Sequence, residues 1–171
     1  MEQDPSLMLN TLEDLLVREF RACQTLLTLT KDERQALAKN DVRALSTLVE
    51  QKEAWLDELA QIEDRRRMVV QEIARLLPLI SPTPSVAELA GALEPEVGGR
   101  INRLRDGITA LSGEIRELSS GNRALAASAL ERTDAVQSLI VDFLRPSLNY
   151  QPPGKPHRSE HGAAWGVDQL K

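Results

Sequence analysis

The feature that most constrains this chain is a run of apolar residues that steps by alternate threes and fours through Leu45, Leu48, Lys52, Trp55, Leu59, Ile62, Arg66, Val69, Ile73 and Leu76. Eight of these ten positions are apolar. That spacing puts them along one stripe of a helix, and a stripe held this long is a coiled-coil seam. Lys52 and Arg66 interrupt it. Each can lay its methylenes along the seam and lift its charge out, which weakens the seam but can fix its register.

The segments on either side read the same way. Asp4-Pro5 is a good helix start, with Asp at the N-cap and Pro in the first turn. Leu12, Leu16, Phe20, Cys23, Leu27 and Leu37 then recur at helical spacing, and Lys39-Asn40 ends the helix as Asp41 caps the next. Pro78, Pro82 and Pro84 stop the second helix. Ser85-Val86-Ala87-Glu88 is a capping box that opens a short helix. Pro95 suits the first turn of a third long helix, whose seam runs Val97, Ile101, Leu104, Ile108, Leu111, Ile115, Leu118, Asn122, Leu125, Ala129, Arg132, Val136, Leu139 and Phe143. Twelve of those fourteen are apolar, and Pro146 ends the pattern. The expected fold is all-α. Three long antiparallel helices form an elongated coiled-coil bundle, with helices at about 5–38, 41–77, 86–93 and 95–144. Residues 146–171, rich in Pro, Gly and polar groups, read as a flexible C-terminal tail.

Composition agrees. Only 3 % of the 171 residues are aromatic, too few for a thick globular core but enough for narrow seams of Leu, Ile and Ala. A net charge of −5 argues against nucleic acid as a partner. Arg65-Arg66-Arg67 follows Glu63-Asp64 and reads as a solvated mixed-charge face. Cys23 is the single cysteine, on an apolar helix face, and reads as a small buried hydrophobe in a reducing cytosol. No secretory signal is visible at the N-terminus, and no apolar stretch is long enough for stable membrane insertion.

At about 1.5 Å per residue the three helices measure roughly 50, 55 and 75 Å. The tight connection at Lys39–Asp41 forces the first two antiparallel, and the third returns beside the second. If Leu76 lies near Ile101, Leu45 lies near Arg132, and everything after about Val136 overhangs the turn. That end carries Val136, Leu139, Ile140, Val141, Phe143 and Leu144. Apolar residues around so much of a helix need a cover, which could be the tail, a second copy or a client. Just before it, Leu118–Leu130, which includes Leu125, holds Arg123 as its only charge. Gly98, Gly99, Gly107, Gly113 and Gly121 read either as tolerated solvent-side glycines or as a helix left soft for a partner.

Chemistry-bearing motifs are scarce. There is no Gly-rich phosphate loop, no cysteine pair and no Glu-x-x-His, so no cofactor is expected and the acidic residues read as scattered on outer faces. His157-Arg158-Ser159-Glu160-His161 matches an inverted zincin signature, but in a Pro/Gly tail it lacks the helix, third ligand and cleft that zinc catalysis needs. We read it as no metal site and the chain as no enzyme. A structural adaptor or homodimeric scaffold is the other class the seams allow.

The stretch Leu15–Glu63 resembles the FlgN family of flagellar export chaperones. The likeness lies in a leucine-rich first helix, a short polar turn ending in Asp41, then Leu45-x-x-Leu48 and the pair Lys52-Glu53. The Pro-rich break, the long third helix and the Tyr-containing tail resemble it too. The resemblance implies a cytoplasmic chaperone of type III secretion, monomer or homodimer. Its partners would be the C-terminal helices of hook–filament junction proteins and the flagellar export gate or its ATPase complex. It implies gate docking through a tyrosine followed by a glycine, for which Tyr150 and Gly154 are the nearest match. The apolar end of the third helix, with Leu125 before it, is where the client would bind.

Overall fold

The computed structural model describes residues 5–76 and 83–144. They form four helices: α1 (Pro5–Lys39), α2 (Val42–Leu76), α3 (Val86–Ala92) and α4 (Pro95–Leu144). The chain divides into two compact units, Met1–Arg132 and Thr133–Lys171. No helix among the described residues is long and apolar enough to cross a membrane. The tail expected over 146–171, with its histidines, lies outside the described residues.

Local chemistry explains the helix ends. Asn40 adopts a left-handed φ of 54°. Its N–H donates to Leu37 O, and the Asp41 N–H donates to Ala36 O, the paired bonds of a Schellman ending. Asp41 Oδ1 then accepts from the Ala44 N–H at 3.0 Å, capping α2. Two adjacent residues thus close one helix and open the next, which leaves the chain no length to do anything but reverse. At α3, Ser85 Oγ accepts from the Glu88 N–H while Glu88 Oε2 accepts from the Ser85 N–H, completing the capping box. Those bonds hold the Glu88 carboxyl below its usual range.

Within Met1–Arg132 the direction of the helices follows from their polar links. Glu19 joins Arg66 and Glu33 joins Lys52, so α2 runs antiparallel to α1. Glu13 joins Arg100 and the Thr30 carbonyl accepts from Asn122, so α4 runs parallel to α1 and antiparallel to α2.

The centre is α1, not the helix with the most regular heptad. Met8, Leu12, Leu16, Ala22, Cys23, Leu26 and Leu27 are all buried. One cluster joins Met8, Leu12 and Leu16 to Val70, Ile73, Leu89, Ala90 and Ile101, with α3 folded over it. A second joins Leu15 and Ala22 to Ile62. Along the α4 seam only Ile101 and Asn122 are buried, and Leu59, Ile108 and Ile115 are half-buried. On α2, Trp55 and Leu76 are exposed at 38 % and 50 %. A straight α-helix repeats every 3.6 residues, so a strict seven-residue stripe drifts off the facing helix within a few turns.

Three readings of the sequence need correction. Lys52 and Arg66 do not lift their charges into solvent. Lys52 Nζ lies 2.8 Å from Glu33 Oε2 and Arg66 Nε 2.7 Å from Glu19 Oε2, all four side chains at most about a fifth exposed. Glu19 and Glu33 are therefore seam residues rather than outer acids. Each glutamate faces a cation fourteen residues along from the other pair, so two matched ion pairs pin one register. The glycines also divide. A Cβ at Gly98 would collide with the Ala90 carbonyl of α3, and one at Gly107 would reach 2.7 Å from the Phe20 ring. These two are packing glycines, whereas Gly113 has open space around it.

Candidate functional site

Two surfaces could take a partner, and each is built from a different part of α4. The first is its last turns, within Thr133–Lys171. At about 100° per residue, Val136, Leu139, Ile140 and Phe143 share one face of the helix. Val136, Leu139, Ile140 and Val141 are 50–69 % exposed and Phe143 is 89 % exposed. Among the described residues nothing covers them. Val141 turns away from the others, beside a shallow depression lined by Asp134, Gln137, Ser138 and Asp142. The Leu144 side chain, Tyr150 and Gly154 lie outside the described residues. Leu125 belongs to the larger unit and is 40 % exposed.

The second surface is a cleft of about 640 Å³ inside Met1–Arg132. Leu26, Thr30, Glu33 and Leu37 of α1 line its floor. Leu45, Val49, Lys52 and Leu56 form the α2 wall. Ile115, Ser119, Asn122 and Ala126 form the α4 wall, with Arg116 and Arg123 beside them. Each set steps by fours and threes, so three heptad stripes face a common space. Towards α3 that space is filled with core. Here it stays open.

Asn122 holds the cleft's polar layer together. Its Nδ2 donates to the Thr30 carbonyl at 2.9 Å and to Glu33 Oε2 at 2.8 Å. Both neighbours are acceptors, so the amide orientation is settled by its surroundings. Thr30 in turn donates from Oγ1 to the Leu26 carbonyl, one turn back on α1. Asn122 Oδ1 is buried and has no hydrogen-bond partner among the described residues. The sequence seam runs through Leu48 and Trp55, whereas Val49 and Leu56 line the cleft. Their signal lies in the sequence, since Val42, Val49 and Leu56 are apolar residues seven apart beside that seam.

Cys23 is buried with its Sγ 4.0 Å from Ser112 Oγ, and burial pushes its thiol pKa up, away from the thiolate. Among the described residues no group of His, Cys, Asp and Glu could hold a metal ion.

Comparison with known proteins gives one match. The model of the family described as FlgN protein aligns with residues 8–158. No curated protein matches the chain significantly. The same holds for the solved structures. The family match takes in α1 to α4 and most of the 171 residues. An all-α chain with an open helical seam and an uncovered apolar helix end suits a protein that holds other proteins, and this chain belongs to the FlgN family, a family of flagellar export chaperones.

Proposed function

We propose that this protein is a cytoplasmic chaperone that binds the C-terminal helices of hook–filament junction proteins and delivers them to the flagellar export gate or its ATPase complex. The observation that carries this reading is the uncovered apolar face of Val136, Leu139, Ile140 and Phe143. An amphipathic client helix laid on that face buries apolar surface on both partners, which supplies affinity, while the nearly uncharged contact makes it insensitive to salt. Val141, Leu144 and, upstream, Leu125 extend the proposed client contact. Tyr150 and Gly154 are proposed as the gate-docking pair on the strength of the family resemblance.

The test is isothermal titration with the C-terminal segment of a hook–filament junction protein. Ile140→Asp with Phe143→Asp changes two exposed side chains, so melting stays within about 1 kcal/mol of the parent while binding is lost. Binding as tight as the parent's refutes the site. Sedimentation then decides the alternative, a homodimeric scaffold: a dimer that the same double variant makes monomeric assigns this face to a second copy.

A further inference from the structure

The cleft of the larger unit is not accounted for by the client face of α4, and its shape and charge say what it would hold. Its floor spans Leu26 to Leu37, one wall Leu45 to Leu56 and the other Ile115 to Ala126. Each span is twelve residues, about three helical turns or roughly 16 Å. A trough of that length between two helices, running along their axes over a third, has the dimensions of a missing fourth helix rather than of a compact small molecule. Its apolar side chains are already displayed. Val49 and Leu56 are 44 % and 51 % exposed although they face the seam.

The charges select the occupant. Glu33 and Lys52 neutralise each other inside the trough. Arg116 and Arg123 stand one heptad apart on the α4 wall, both exposed and with no ion pair among the described residues. A chain of net charge −5 thus has a locally basic trough. The protein's own segment 145–171 is a poor match, since Arg145, Lys155, Arg158 and Lys171 outnumber Glu160 and Asp168. We propose that this cleft docks one acidic amphipathic helix of a partner protein, with its apolar stripe between α2 and α4 and its carboxylates on Arg116 and Arg123. The inference stands apart from the client site on the last turns of α4.

The test uses the full chain and two synthetic helical peptides of about 18 residues, long enough to fill three turns. Both carry the same Leu/Ile heptad stripe, flanked by Glu in one and by Lys in the other. Fluorescence anisotropy is expected to show the Glu peptide binding at least about tenfold more tightly than the Lys peptide, from two ion pairs gained against two repulsions. Arg116→Glu with Arg123→Glu inverts that preference. Val49→Glu with Leu56→Glu abolishes binding of the Glu peptide, with circular dichroism confirming an intact fold. Ile140→Asp with Phe143→Asp leaves it unchanged, which separates this site from the client face. Equal binding of the two peptides overturns the proposal. So does no binding of either, retained Glu-peptide binding in the Val49/Leu56 variant, or a homodimer that this variant dissociates.

Discussion

Removing the arginine of the Glu19–Arg66 pair should destabilise the protein more than neutralising its glutamate. The Glu19 side chain is 6 % exposed and that of Arg66 is 21 % exposed, with 2.7 Å between Oε2 and Nε. Breaking a buried pair from one side costs about 3–5 kcal/mol, because the remaining charge is left uncompensated in a poorly hydrated site. Arg66→Ala leaves a largely buried carboxylate without its cation, so about 3–4 kcal/mol is expected. Glu19→Gln strands a guanidinium on a long stem that can swing into solvent, so about 1–2 kcal/mol is expected. The pH dependence gives a second handle. Burial raises the Glu19 pKa, Arg66 opposes that rise, and Glu63 adds to it. A carboxyl that binds its proton more tightly folded than unfolded stabilises the fold most at low pH. It loses that contribution as pH rises from the ordinary carboxylate range through the raised value. Without Arg66 that rise grows, so the penalty of Arg66→Ala should be larger at about pH 8 than at about pH 5. Urea denaturation followed by circular dichroism at the two pH values measures both effects. A penalty for Arg66→Ala no greater than that for Glu19→Gln, or one that does not change with pH, would refute the reasoning.

Two further outcomes concern the scaffold. Gly98→Ala should lower the melting temperature, since its methyl meets the Ala90 carbonyl, whereas Gly113→Ala, in open space, should add about 0.5–1 kcal/mol by removing a helix-interior glycine. Leu12→Ala should cost about 3–5 kcal/mol, because Leu12 is fully buried, and Ile108→Ala only about 1–2 kcal/mol, because Ile108 packs half-buried at the edge of the same cluster. Equal losses in chemical denaturation would remove the burial ranking between α1 and α4.

The sequence by itself determined the helices and their ends, because those are decided by neighbours in the chain. Asn40 takes a left-handed conformation and Asp41 caps the next turn within two residues. Ser85 and Glu88 complete their box three residues apart. Proline and the seven-residue period act over the same short range. Which helix lies at the centre was decided only in three dimensions, and so was the pairing of its charges. Arg66 and Lys52 look like residues that escape the seam until Glu19 and Glu33 arrive opposite them from a different helix. Gly98 looks dispensable until α3 lies against it. The cleft is the clearest case. Val49 and Leu56 face it beside Leu45 and Lys52, on a neighbouring heptad stripe of α2, and the space stays open there although Val70 and Ile73 of α2 share one core cluster with Ile101 of α4 towards α3. Lateral spacing between helices depends on the summed packing of side chains distant in sequence, so no local pattern encodes it.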